Sequence, residues 1–218
     1  PLTLIGEAIM RNVFKKLILM GVAVTLAGIA EAKTFRYATT GDVLGLDPHA
    51  NNEGPTNTMK GNLYGRLLHR KADLSLEPDL ATKWEKLDAT TWRFSLRQGV
   101  KFHNGNAFNA DDVVFSYNRQ TQESSDMSFA LATVKEVRKV DDHTVDIITK
   151  GPDPILLLNM PIFYIVDKEW TEANNAFEVV RASGSTNFAN VNANGTGPFK
   201  LVEWVQDTRL VLEPNPNY

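Results

Sequence analysis

The sequence contains no cysteine. Disulfide bonds are therefore excluded, and with them the small disulfide-stapled folds that are common among exported proteins, so a hydrophobic core of ordinary size has to provide stability. Hydrophobic residues make up 43% of the chain, which supports such a core. The missing thiol also leaves no attachment point for a lipid anchor, so we expect a released protein and not a lipid-tethered one.

The sequence also lacks a strong charge and a long apolar run. Its formal net charge is −3, and the lysines and arginines are scattered, which offers no basic face for phosphates and excludes nucleic acid as an expected partner. The apolar run at residues 17–29 is shorter than the roughly twenty residues that cross a bilayer. A later apolar stretch, residues 155–166, is interrupted by Asn159 and Pro161. We therefore predict no permanent membrane span.

The chain begins with the pattern of an export signal. Basic residues precede the apolar run, and Ala30 and Ala32 place small side chains where a signal peptidase needs them. We predict a signal peptide at residues 10–32 that is cleaved after Ala32, and a translated leader at residues 1–9 that takes no part in the fold. An uncleaved N-terminal membrane helix is the alternative. The predicted destination is the periplasm.

Local sequence patterns predict both helices and strands. Alternating side chains predict strands at residues 35–40 and 92–96, a hairpin at 134–140 and 144–149, and two strands at 199–205 and 209–212. One apolar stripe over Met59, Leu63, Tyr64, Leu67 and Leu68 predicts a helix, and residues 80–87 are predicted as a shorter helical or turn-rich piece. Asn109 is predicted to cap a helix that follows it, another helix is predicted at 168–176, and residues 183–194 are predicted as an exposed loop.

No constellation in the sequence predicts catalysis. The four histidines are far apart and are expected on loops or the surface, and no spacing indicates a metal site. The adjacent Asp111 and Asp112 do not face each other on a helix, and a helix N-terminus explains both charges. Gly195-Thr196-Gly197 lacks the third glycine and the following helix of a phosphate-binding loop. We therefore predict no catalytic residue, no metal and no cofactor.

Several longer motifs occur in a specific order. They are Leu46-Asp47-Pro48-His49, Leu63-Tyr64-Gly65-Arg66-Leu67-Leu68, Glu77-Pro78-Asp79-Leu80-Ala81 with Trp84-Glu85, Trp92-Arg93-Phe94-Ser95-Leu96-Arg97, Gly99-Val100-Lys101-Phe102-His103-Asn104-Gly105, Phe108-Asn109-Ala110-Asp111-Asp112-Val113 and Gly195-Thr196-Gly197-Pro198-Phe199-Lys200. This set resembles the periplasmic solute-binding proteins of peptide- and nickel-type ABC importers, the bacterial extracellular solute-binding protein family 5.

The resemblance implies an α/β, bilobal fold of the periplasmic-binding-protein type (type II, large peptide-binding class). It implies that residues 33–218 are only part of the first lobe, with a core at 33–62 and 159–218 and an inserted, smaller antiparallel α+β subdomain at 63–158. Strands near Phe35 and Phe199 are expected to be neighbours in the core sheet. The second lobe would lie outside this sequence, as in an N-terminal fragment.

The resemblance also implies a function and partners. The expected function is a monomeric, non-enzymatic component that captures peptides or similar small solutes in the periplasm. It would deliver them to an inner-membrane permease with its ATPase subunits, so that membrane contact occurs only through the permease. The implied ligand-binding residues are Asp42, Val43 and Leu44, which would offer main-chain hydrogen bonds, and Ser128 and Phe129, which would form another wall. Asp42 has a turn role as its alternative, and Phe129 a core role.

Two other function classes stay open at this point. A secreted hydrolase that uses a carboxylate pair would require acids that converge from distant segments. An exported adhesion or scaffold module would bind macromolecules and gain no stability from small molecules. Neither alternative explains the ordered motifs.

Overall fold

The computed structural model describes residues 34–181 and 186–218. The predicted leader at 1–9 and the signal peptide at 10–32, with Ala30 and Ala32, lie outside the described residues. The chain divides into two compact units, residues 1–38 and 39–218, and the second unit holds all the elements below. Within the two described ranges, no helix combines the length and the apolar character that crossing a membrane requires.

Five α-helices and eight strands are present in the described residues. The helices are α1 Gly54–Leu63, α2 Ala110–Gln120, α3 Leu156–Asn159, α4 Lys168–Ala173 and α5 Phe188–Val191, with 3₁₀ turns at Ser128–Leu131 and Met160–Ile162. The strands are β1 Leu68–Arg70, β2 Leu76–Pro78, β3 Ala81–Lys86, β4 Thr91–Leu96, β5 Val134–Asp141, β6 Thr144–Thr149, β7 Phe199–Val205 and β8 Arg209–Pro214.

The strands form one four-stranded antiparallel sheet and two separate hairpins. The sheet has the order β3-β4-β6-β5, and β1 pairs with β2 and β7 with β8. In β4 the side chains alternate as predicted, with Phe94 and Leu96 buried on one face. The other face carries Arg93, which lies opposite Asp146 of β6 and forms an ion pair with it at 2.8 Å. The predicted hairpins at 134–149 and 199–212 are both confirmed.

Helix α2 lies between two hydrophobic clusters. Val113 belongs to a large cluster that covers the inner face of the four-stranded sheet. Phe115 belongs to a smaller cluster, which we call the N-terminal cluster, and the β7–β8 hairpin packs against it. The N-terminal cluster consists of Val43, Leu46, Met59, Leu63, Tyr64, Phe115, Met127, Tyr164 and Val166.

The start of α2 is the one that the sequence predicts. The Asn109 side chain accepts a hydrogen bond from the backbone N–H of Asp111, and the Asp112 carboxylate accepts one from the backbone N–H of Asn109. This reciprocal capping box satisfies N–H groups that a helix N-terminus otherwise leaves without partners. Both acidic residues of the first turn also lie at the positive end of the helix dipole.

The predicted helix through Leu67 and Leu68 is wrong. Helix α1 ends at Leu63, Tyr64 adopts an extended conformation, and Leu68 begins β1. The chain leaves the helix where Gly65 packs tightly against the side chains of Thr196 and Leu80, so that any side chain at this position would require them to move. Two adjacent buried leucines also fit a strand that is covered on both faces.

Three further expectations need correction. Residues 34–40 form no strand, so the predicted strand at 35–40 is wrong, and with it the expectation that a strand at Phe35 belongs to the core sheet. Residues 81–86 form the edge strand β3, whose solvent-exposed side chains hide the alternating pattern. The predicted exposed loop at 183–194 contains α5 and the buried Asn190 and Asn194. The division into a core and an inserted subdomain stays a prediction.

Candidate functional site

The first predicted ligand-binding segment, Asp42–Leu44, is tied to its surroundings at both ends. The Asp42 carboxylate accepts hydrogen bonds from the indole N–H of Trp204 at 3.1 Å and from the backbone N–H groups of Asp207 at 2.6 Å and Val43 at 2.8 Å. The backbone N–H of Leu44 donates to the Thr56 hydroxyl at 2.9 Å. Because its oxygens already accept three hydrogen bonds, the Asp42 carboxylate fastens the segment to the β7–β8 turn.

The side chains of this segment differ in exposure. Val43 is buried in the N-terminal cluster, whereas the Leu44 side chain is 46% exposed. No hydrogen bond from a described residue reaches the carbonyl oxygens of Val43 and Leu44. The segment therefore presents one apolar side chain, that of the exposed Leu44, whose carbonyl oxygen has no donor among the described residues; such a position suits an extended ligand that pairs through its backbone.

The second predicted segment, Ser128–Phe129, opens a 3₁₀ turn beside the same cluster. Met127 is a member of the N-terminal cluster together with Val43, so both predicted segments adjoin one core. The backbone N–H of Asp126 donates to the Ala50 carbonyl at 3.2 Å. Phe129 itself is 54% exposed, so its core alternative does not hold, and Ser128 is half-buried.

A buried polar network supports the loop that links these segments. The Arg119 guanidinium of α2 donates to both carboxylate oxygens of Asp47, at 2.8 and 2.5 Å, and to the Nδ1 atom of His49 at 3.0 Å. The Nε2 atom of His49 lies 2.9 Å from the Tyr164 carbonyl oxygen. A neutral imidazole that carries its proton on Nε2 satisfies both contacts. All three side chains are buried.

The pKa values of this network follow from burial and from the Arg119 charge. Burial opposes ionisation of Asp47, but the charge and the hydrogen bonds of Arg119 outweigh it and hold the pKa of Asp47 below its usual value. Burial and the same guanidinium lower the pKa of His49 from 6.5 to about 3. His49 is therefore neutral at physiological pH, and the expectation that this histidine lies at the surface is wrong.

The sequence patterns described above do not identify Arg119 or a second buried cation, Lys60, as members of a buried polar network. The ammonium group of Lys60 donates to the Asn51 carbonyl and to the Asn57 side chain, and burial lowers the pKa of Lys60 to about 8. The sequence does contain a signal for both: Lys60 is three residues before Leu63 on α1, and Arg119 is four residues after Phe115 on α2, so each cation lies on the buried face of its own helix. A cation at such a position indicates a buried polar partner.

His103 connects two of the sequence motifs. Its ring accepts a hydrogen bond from the backbone N–H of Gly195 at 3.3 Å and donates to the Gly197 carbonyl at 3.2 Å. A side chain on Gly195 would lie 2.1 Å from the Leu63 carbonyl oxygen, so only glycine fits. The Gly195-Thr196-Gly197 motif is therefore a packing element between α1 and His103, and it leads into β7 as predicted.

Three acidic side chains do converge, as the hydrolase alternative requires. Asp112, Asp167 and Glu169 place carboxylate oxygens within 4.8 Å of one another. Burial, assisted by the nearby Glu169 and Asp167, raises the pKa of Asp112 to about 7, while backbone N–H donors oppose the shift. However, Asp112 accepts backbone N–H donors from Asn109 and Lys168. Four N–H groups likewise donate to the side chain of Asp167. The carboxylates of Asp112 and Asp167 are thus occupied by N–H donors from the loops and helix termini that they connect.

Two cavities in the described part of the chain lie away from the predicted site. One of about 510 Å³ is lined by residues 132–133 and 150–155. Another of about 230 Å³ is lined by Arg66, His69 and neighbours on β2. Asp42–Leu44 and Ser128–Phe129 line neither of them. Each segment exposes one apolar side chain, Leu44 in the first and Phe129 in the second.

Comparisons with known proteins place this geometry in context. The E. coli (strain K12) dipeptide-binding protein is 32% identical over 219 residues, which cover 89% of this chain and 40% of that protein. The Haemophilus influenzae heme-binding protein A is 31% identical over 221 residues, which cover 90% and 39%. The chain thus spans about two fifths of the length of these curated relatives.

The fold is also similar to a solved structure, the periplasmic binding protein DppA from Helicobacter pylori in complex with the peptide STSA. The TM-score is 0.71 at 27% identity, and the match covers 82% of this chain and 38% of that one. This likeness confirms the expected α/β periplasmic-binding-protein fold, of which the present chain holds a part. Residues 75–218 match the family model described as bacterial extracellular solute-binding proteins, family 5 Middle. The chain belongs to the family 5 bacterial extracellular solute-binding proteins.

Proposed function

We propose that this chain forms part of the first lobe of a periplasmic component of an ABC importer that captures peptides. The observation that carries the proposal is that Leu44 and Phe129 expose apolar side chains while residues next to them in sequence, Val43 and Met127, share the N-terminal cluster. Main-chain pairing tolerates varied ligand side chains, and apolar side chains add contact area without demanding one ligand. The relatives' names, which include dipeptide- and oligopeptide-binding proteins, support the same ligand class.

The proposed mechanism is binding of the ligand without any covalent reaction. A ligand would lie against Leu44 and Phe129, a second lobe would close over it by a hinge and exclude water, and the closed form would dock onto the inner-membrane permease. Separate ATPase subunits would supply the energy. The binding component itself would be a monomer that needs no cofactor, and its place of action is the periplasm.

The test is ligand-dependent stability of the complete reading frame that contains this sequence. A ligand that binds only the folded protein adds about 2.7 kcal/mol at a hundredfold excess over Kd. Thermal unfolding is measured with di-, tri- and oligopeptides, and with heme and nickel as other ligand classes. A peptide-specific rise in Tm supports the proposal. A rise with heme or nickel alone, or no shift with any ligand, contradicts it.

Two variants locate the surface. Phe129→Ala is expected to weaken peptide binding, whereas Val140→Ala is the matched control, because Val140 is a similarly exposed apolar residue on β5. Equal effects on affinity would exclude Phe129 from the site.

For residues 33–218 alone we expect weak or absent binding and a tendency to aggregate, because one wall cannot enclose a ligand. Tight binding by this piece, measured by calorimetry, would contradict that expectation.

A further inference from the structure

The sequence has two Asn-Gly pairs, Asn104-Gly105 and Asn194-Gly195, and the fold brings both to one carboxylate. The side-chain amides of Asn104 and Asn194 donate to the same oxygen of Asp167, at 2.9 and 2.8 Å. Asn106 donates to this oxygen as well, at 2.9 Å. We call Asp167 and these three asparagines the Asp167 joint. It connects the 101–107 loop to the segment before β7 and to the start of α4.

The backbone nitrogens that follow the two asparagines are also engaged. The N–H of Gly105 donates to the Phe102 carbonyl at 2.9 Å, and the N–H of Gly195 donates to the His103 ring at 3.3 Å. The backbone N–H of Asn104 donates to the side-chain oxygen of Asn194 at 3.0 Å, so the two Asn-Gly pairs also contact each other directly. In both pairs, therefore, the side-chain amide and the following nitrogen are held in hydrogen bonds.

These are the groups that react in spontaneous deamidation. The nitrogen of the following residue attacks the side-chain carbonyl carbon, a new C–N bond forms, the bond to the side-chain nitrogen breaks, and ammonia leaves. Water then opens the cyclic imide to aspartate or isoaspartate. Glycine permits this step best, because it has no side chain to hinder the approach and its backbone is the most flexible.

We propose that Asn104 and Asn194 are paired sites of spontaneous deamidation, and that the Asp167 joint restricts the reaction to moments when the joint opens. Each reaction replaces a donor to Asp167 with a carboxylate, so Asp167 loses a hydrogen bond and gains a like charge nearby. The first event therefore loosens the joint and exposes the other site. Asn104 reacts first, because it is exposed, whereas Asn194 is only 3% exposed.

The test follows deamidation by peptide mass spectrometry, which separates aspartate and isoaspartate products, at neutral pH and physiological temperature. The chain is incubated in buffer and in unfolding urea. We expect reaction at Asn104 and Asn194 to be slower in buffer by about tenfold or more, because local opening precedes the chemistry. Asn106, which Ala107 follows, is the internal control and stays slow in both conditions. Equal rates in buffer and urea, or equal rates at Asn106 and Asn104, would overturn the proposal.

A pair of variants separates the joint from general stability. Asp167→Ala removes the shared acceptor and is expected to accelerate both sites in buffer by about tenfold. Asp146→Ala removes another buried carboxylate, which pairs with Arg93 and Arg138 on the sheet and lies outside the joint. Equal acceleration in the two variants would refute the role of the joint. If Asp167→Ala does not fold, the comparison of deamidation rates in buffer and urea, with Asn106 as the control, still tests the proposal.

Discussion

Replacing Arg119 with methionine is the perturbation that tests the buried network most directly. Arg119 and Asp47 are 1% and 0% exposed, and two short hydrogen bonds join them. Methionine fills much of the arginine volume, but it leaves Asp47 as a buried carboxylate without a counter-charge. Removal of one partner from a buried ion pair costs about 3–5 kcal/mol, a large part of the 5–15 kcal/mol that stabilises a typical domain.

The assay is urea unfolding at neutral pH, followed by circular dichroism. The Asp47→Asn and Arg119→Met single variants and their double variant form a cycle that isolates the interaction between the two side chains. We expect the double variant to be more stable than the sum of the single losses predicts, because removing both charges leaves no charge unpaired. Arg138→Met is the matched control: its side chain is 54% exposed in the Asp146 pair, so the expected loss is below about 1 kcal/mol.

A loss of stability in Arg119→Met no larger than in the control, or losses in the cycle that simply add, would refute a strong coupling between Arg119 and Asp47. Either result would mean that the Asp47 carboxylate finds water or another donor when the guanidinium is gone. The network would then not hold the loop between the two predicted ligand-binding segments.

Three further predictions concern pH and packing. The pKa of His49 is lowered from 6.5 to about 3, so its stabilising contribution is fully present above 6.5 and lost as pH falls. Wild type should thus lose about 3 kcal/mol more than His49→Gln between pH 7 and 4 in urea titrations, and parallel losses would contradict this. The raised pKa of Asp112, from 3.8 to about 7, has the opposite sign: stability falls as pH rises through that window, and in urea titrations Asp112→Asn should reduce the decline between pH 4 and 7 by about 3 kcal/mol. Gly195→Ala forces a methyl group onto the Leu63 carbonyl and should cost about 1–3 kcal/mol, whereas Gly151→Ala meets open space and should change the unfolding free energy by less than about 0.5 kcal/mol.

The elements that the sequence predicted correctly are those with local signals. The alternation at residues 92–96 needs only one buried face to specify a strand, and the Asn109 capping box begins α2 through contacts between residues three apart. The hairpin at residues 134–149 is similarly local, because its strands are joined by a turn of two residues. In each case the partners of a hydrogen bond are close in sequence, so the element can be predicted from the local sequence pattern alone.

The errors occurred where distant residues decide the conformation. The chain leaves α1 where Gly65 packs against Thr196, and the burial of His49 depends on Arg119, seventy residues away. Neither contact can be predicted from composition or periodicity, because both contacts join residues that are far apart in sequence. The candidate site was predicted through the resemblance alone, and the structure adds that Asp42 accepts hydrogen bonds from the β7–β8 hairpin.

The motifs that carry the family resemblance have structural roles. Asp47 and His49 bind Arg119, and His103 clamps the Gly195–Gly197 turn, so substitution at any of these positions leaves a buried group unpaired or a backbone contact blocked. Exposed positions such as Leu44 and Phe129 carry no such constraint, since their side chains reach solvent. Substitution at such exposed positions therefore leaves the buried hydrogen bonds of the motifs in place.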